Sequence, residues 1–239
     1  MDIKEYETFF WQILQTEDWK KFLEHPQHKN VSFRGGGFQV SGKRVRGLTT
    51  RIHAQFGNES YQKKSCPRKS IHSGMKHGTL VHKQLEKFIR SLLKGEHAVG
   101  PWDLCTKKIL KFLVFKKWVP VCTEFPIADE SIGVGTAVDL ICVCGSEIIL
   151  VELKTGYTEY EKSNQKIKGR LAKIGLTRSP LHLHQIQLVC MLEIFRRRYD
   201  IKFHSAYILR ISLPRIHLYG IAPCFERKEI RDIVYEDIA

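Results

Sequence analysis

Two acids and a lysine in the second half of the chain have the residue types and spacing to do chemistry together. Asp139 follows Gly135-Thr136-Ala137-Val138 at the start of an apolar stretch, and thirteen residues on Glu152 and Lys154 stand in Ile148-Ile149-Leu150-Val151-Glu152-Leu153-Lys154. Strand alternation places Asp139 with Ile141 and Val143 on one face, and Glu152 with Lys154 on one face of the next strand. Charges at the end of an apolar strand are costly unless they are paired or bind an ion. A salt-bridged strand terminus accounts for Glu152-x-Lys154 taken alone. The two acids, however, fall at comparable points on strands separated by a hairpin-length gap, where they can converge on one hard cation such as Mg2+ or Mn2+. Such an ion keeps positions for water and a phosphate oxygen, and Lys154 would orient the water or neutralise charge growing on phosphorus.

Gly135 to Asp139 followed by Glu152-Leu153-Lys154 resembles the PD-(D/E)XK nuclease superfamily, with Val138 where the family has proline. HGTLVHKQLE, in which His82 lies four residues after Gly78, is similar to a helix of RecB-like and lambda-exonuclease-like members. HLHQIQLV resembles the Gln-x-Gln helix of the lambda-exonuclease and alkaline-nuclease branch. The order His82, Asp139, Glu152, Lys154, Gln185 follows that branch across residues 71–220, whereas residues 1–70 match no family pattern.

The resemblance implies a restriction-endonuclease-like α/β core, a mixed sheet flanked by helices, over residues 71–239. Residues 1–70 would be an extension with a helix and a basic loop. It implies a metal-dependent deoxyribonuclease, foremost an exonuclease of DNA replication, recombination or repair. His82, Asp139 and Glu152 would hold Mg2+ or Mn2+; Asp139, Glu152, Lys154 and Gln185 would be catalytic; DNA, as a duplex end or single strand, would be the partner. An endonuclease or junction resolvase on the same fold is one alternative. A non-catalytic nucleic-acid-binding protein is another, and the intact Asp139, Glu152 and Lys154 count against it.

Gln185 shares a helical stripe with Leu188, Val189 and Leu192, so its amide is expected to face the core and to need partners there. Gln187, aligned with Met191 and Ile194, is the alternative. Glu86, one turn after His82, is a competing ligand or an exposed charge, and Glu124, read at the opening of the first strand, is a further acid within reach. Cys142-x-Cys144 and His182-x-His184 raise zinc, but both cysteines alternate to the face opposite Asp139 and Cys-x-x-Cys spacing is absent. No iron–sulfur cluster is expected.

These residues need elements to hold them. Ile3, Tyr6, Phe10, Ile13 and Leu14 recur at helical spacing over 3–24, and 25–70 reads as loops with short strands around a Gly35–Gly37 turn. Val81, Leu85, Phe88, Ile89 and Leu92 make an apolar stripe from about Gly74 or Gly78 to Lys94. A basic helix follows over 103–117. From Val119 three short apolar segments read as adjacent strands, then a helix over 180–198 and two strands flanking Pro214.

Charge supports an anionic partner. Among 239 residues, 39 Lys and Arg against 25 Asp and Glu give +14, and residues 25–123 alone carry twenty basic and four acidic side chains. Lys107, Lys108, Lys111, Lys116 and Lys117 of the basic helix are the expected nucleic-acid contacts. Seven scattered cysteines suggest a reducing compartment, cytoplasm or nucleus. Asp2, Glu5 and Glu7 argue against a secretory leader or transit peptide, and no apolar run reaches about 18 residues, so no membrane span is expected.

Overall fold

The apolar segments from Val119 onward assemble as neighbouring strands. The computed structural model describes residues 7–8, 10–11, 30–34, 37–56, 68–156, 160–167 and 169–238. Strand β4 (Val119–Asp129) pairs antiparallel with β5 (Val134–Cys144) from Val119↔Val143 to Asp129↔Val134. In turn β5 pairs antiparallel with β6 (Glu147–Thr155) from Leu140↔Val151 to Cys144↔Glu147. Both faces of β5 are covered, which is why it reads as a nearly continuous apolar run.

Past β6 the chain crosses over through a helix, as a parallel connection requires. The helix, α4 (Pro180–Ile194), starts with Ser179 accepting from the His182 N–H and with Pro180 in its first turn. β7 (Ser205–Ser212) then lies parallel to β6, and β8 (Arg215–Gly220) pairs antiparallel at the edge.

Ahead of β4, α2 (Arg68–Leu93) is longer than its apolar stripe predicts and buries Val81, Leu85, Phe88, Ile89 and Leu92 as that stripe requires. The basic helix α3 runs Leu104–Phe115, capped by Asp103, whose carboxylate accepts from the Cys105 N–H at 2.7 Å. Among the described residues of 25–70 the expected short strands are present, followed by a helix not expected from the sequence. A meander of β1 (Val31–Arg34), β2 (Gly37–Val40) and β3 (Lys43–Gly47) joins the main sheet where β3 runs parallel to β5 at Arg46↔Val134 and Gly47↔Gly135. A Cβ at Gly135 would lie 2.8 Å from the Phe38 Cβ, so only glycine lets the meander close here. Helix α1 (Leu48–Phe56) follows and buries Leu48, Ile52 and Phe56.

The result is an α/β protein with an eight-stranded mixed sheet flanked by helices. Most of the helix read over 3–24 lies outside the described residues, as do Gly35 and Gly36; Glu7, Thr8, Phe10 and Trp11 are helical, with Phe10 in the core. Among the described residues no helix is long and apolar enough to cross a membrane.

A last helix, α5 (Lys228–Ile238), was not expected from the sequence, although Ile230, Val234 and Ile238 stand at i, i+4 and i+8 and are buried. Asp129, at the end of β4, ties it in. Its buried carboxylate accepts from Tyr235 of α5, from the Ser131 N–H at 2.8 Å and hydroxyl at 2.6 Å, and pairs with Arg198 at 2.5 Å. Burial works against the charge, but these partners hold the carboxyl down at about 2. Asp129→Ala would strip Arg198 and Tyr235 of their shared acceptor. Urea unfolding should show a loss of about 3 kcal/mol or more.

Candidate metal centre

Strand register builds the site. Thr123↔Leu140 and Phe125↔Val138 flank a step at which Glu124 falls opposite Asp139, and Leu140↔Val151 is one step short of bringing Glu152 opposite Asp139 from the other side. Glu124, Asp139 and Glu152 therefore stand in one row across β4, β5 and β6. At that row β5 and β6 part. The rung that the ladder loses is replaced by a side chain: Asp139 Oδ2 accepts the Leu153 N–H at 2.6 Å.

Glu124 lies mid-strand, not at the strand opening, and has a φ of 48°. Left-handed backbone in a non-glycine strand residue costs on the order of 1 kcal/mol and concentrates at functional sites.

Helices reach the fork from both faces of β6. On the Thr155 side, α2 crosses so closely that a Cβ on Gly78 would sit 2.9 Å from Thr155 Oγ1. One turn on, His82 Nδ1 is 3.0 Å from Glu124 Oε1 and 3.4 Å from Asp139 Oδ1. Ligand atoms of His82, Glu124 and Asp139 all lie within 4.8 Å of one another. Glu86 pairs with Arg90 at 2.7 Å and is no part of this group.

On the Glu152 side, α4 contributes Gln187, not Gln185. Gln187 Nε2 donates to Glu152 Oε1 at 2.8 Å, whereas Gln185 Nε2 donates to the Gly220 carbonyl at 2.7 Å. Gln185 is the residue the family resemblance implies, and its apolar stripe cannot decide between the two because α4 is buried almost all round. Lys154 Nζ also donates to Glu152 Oε1, at 2.5 Å. Among the described residues, the buried Glu152 Oε2 has no hydrogen-bond partner.

The electrostatics follow from crowding. Burial and the neighbouring Asp139 charge push Glu152 up to about 7 against the pull of Lys154. Burial also raises Asp139, opposed by His82 and Lys154. For His82 burial acts downward, but Asp139 and Glu124 outweigh it and lift the imidazole to about 9. His82, Glu124 and Asp139 make a group that fits a hard divalent cation such as Mg2+ or Mn2+; Glu152, expected as a ligand with them, lies outside that group and next in the row.

The other candidate ligands lie elsewhere. Cys142 is buried in the core, His182 accepts from the Thr177 N–H at 2.9 Å, and His184 is 2.8 Å from the Tyr160 hydroxyl. The α3 lysines do not gather around the acids. Lys107, Lys111, Lys116 and Lys117 are exposed, and Lys108 Nζ donates to the Pro214 carbonyl at 2.5 Å. Just past α3, Trp118 stacks on Tyr207 of β7.

No family model matches the chain, and no curated protein matches it. Among solved structures, one described as "Crystal structure of SSO0001" is similar at 16% identity over 80% of this chain and 82% of that chain. Its TM-score is 0.31, too low to assign a fold.

Two outcomes follow from this geometry. Gly78→Val should push α2 off Thr155 and displace His82, lowering Mn2+ affinity about tenfold in calorimetry while the core still folds. Folded Glu152 and His82 both bind protons more tightly than their ordinary values of 4.5 and 6.5, up to about 7 and about 9. Their contribution to stability in chelator is therefore complete at low pH and is lost as pH rises through that window. Thermal melts should show this decline, Glu152→Gln should flatten its lower half, and Mn2+ should raise the melting temperature more at about pH 8 than at about pH 5.

Proposed function

We propose that the chain is a Mg2+- or Mn2+-dependent deoxyribonuclease that hydrolyses phosphodiester bonds at the β5–β6 fork, on a restriction-endonuclease-like core. The observation that carries this reading is the row Glu124, Asp139 and Glu152, with a buried Glu152 oxygen lacking a partner beside Lys154. Asp139 and Glu152 are all but excluded from water, and a bound cation would keep them ionised.

His82, Glu124, Asp139 and the free oxygen of Glu152 would hold the ion. When bound, it supplies Lewis acidity to a phosphate oxygen and lowers the pKa of a coordinated water. The chain's own groups do the rest. Gln187 and Lys154 hold one oxygen of Glu152, leaving the other for the ion. Lys154 keeps an ammonium at the point where negative charge grows on the phosphate. The charge of +14 favours a polyanionic substrate. Exonucleolytic action in replication, recombination or repair is proposed on the resemblance to the lambda-exonuclease branch.

Digestion of end-labelled linear duplex and closed-circular duplex, with and without Mg2+, tests both levels. Cleavage should need the metal and a DNA end. Asp139→Ala and Lys154→Ala should each lose about 100-fold or more in rate, with Lys154→Ala still binding DNA. Chelator-insensitive cleavage by either variant would contradict the mechanism.

A further inference from the structure

Next to the row of acids, on the same face, the sheet carries a row of bases. Two residues along β6 from Glu152, Lys154 pairs with Arg210 of β7, and Arg210 pairs with His217 of β8. Paired residues on adjacent strands project to the same face, so three basic side chains stand in line across three strands. Glu152 holds Lys154 at 2.5 Å, and the outer end of the row is open, with Arg215 exposed and His217 half-buried.

The row is built as well as aligned. Arg210 is 8% exposed, its Nε donates to the Gly156 carbonyl at 3.3 Å, and its guanidinium lies 4.9 Å from the Tyr160 ring centroid. On β8 alternation sets Arg215, His217 and Tyr219 on this same face; Arg215 is exposed and the other two are half-buried. The His217 and Tyr219 rings stack at 6.0 Å and 12°, and the Tyr219 hydroxyl donates to Glu161 at 2.5 Å. Tyr207, which packs on Trp118, alternates to the other face of β7, and of the α3 lysines Lys108 reaches the β7–β8 turn, at the Pro214 carbonyl beside Arg215.

We propose that Lys154, Arg210, His217 and Arg215 form a track for the backbone phosphates of the strand being cut, leading from the metal centre across β7 to the β8 edge. The paired His217 and Tyr219 rings flank the track and offer a stacking face to a base. From β6 to β8 the track spans about 10 Å, against about 3.4 Å per stacked nucleotide, so it takes the two or three nucleotides next to the scissile phosphate. The inference rests on the nuclease reading and adds to it the direction in which the strand lies.

The test uses the full chain with Mn2+ and two substrates, a single-stranded oligonucleotide of about twelve nucleotides and bis(p-nitrophenyl) phosphate, whose single phosphate cannot reach β8. For Arg215→Gln/His217→Gln, the KM for the oligonucleotide should rise about tenfold with kcat within about threefold. The slope of oligonucleotide binding against salt should become shallower by about one to two. The loss in kcat/KM on the small diester should be at least about fivefold smaller than the loss on the oligonucleotide. An unchanged oligonucleotide KM, or equal losses on both substrates, would overturn the track while cleavage by the wild type leaves the nuclease reading standing. If the wild type cleaves neither substrate, the nuclease reading fails and the track falls with it.

Discussion

The hydrogen bond from the Leu153 N–H to Asp139 Oδ2 is the interaction on which the rest of the site depends. A backbone donor buried where two strands separate needs an acceptor. Asp139 supplies one from its side chain, and this lets β5 and β6 diverge without orphaning the ladder. The same bond fixes one oxygen of the carboxylate and leaves Oδ1 toward His82. One residue thereby opens the fork and offers a ligand inside it.

The surrounding fold serves that opening from several directions. β4 is paired along nearly its whole length with β5, so Glu124 is brought to the row by register, and its left-handed backbone is sustained by the pairs on either side. α2 approaches because Gly78 has no side chain to strike Thr155. α4 supplies Gln187 from the opposite face of β6. Further along β4, Asp129 binds Arg198 and Tyr235, so the strand that carries Glu124 is anchored to the turn after α4 and to the final helix. Acids and bases are sorted into successive rows of one face, and charge changes sign within two residues of β6.

Much of this was legible in the sequence. The thirteen-residue interval between Asp139 and Glu152 is the length of a hairpin, and the register sets the two opposite each other. The α2 stripe and the adjacency of β4, β5 and β6 follow from local periodicity. What periodicity could not resolve was the choice between Gln185 and Gln187, because a helix buried nearly all round has no polar side to define its phase. The place of Glu124 depends on a non-local pairing, which the β4–β5 hairpin register sets. The β1–β3 meander is legible only as short strands among loops, because its segment is glycine-rich and basic and its order comes from packing on Gly135 and Ala128; α1 has its buried residues in the main core. The last helix had a readable spacing in Ile230, Val234 and Ile238, diluted by its charged neighbours.

Calorimetric titration of Mn2+ at about pH 8 tests most directly whether the row of acids at the fork is a divalent metal centre. The wild type should bind with release of protons, Asp139→Asn should abolish binding, and Glu124→Gln should weaken it about tenfold or more, comparable to the loss of a supporting interaction at a metal site. Absence of Mn2+ binding by the wild type, or an affinity indifferent to both substitutions, would contradict the account.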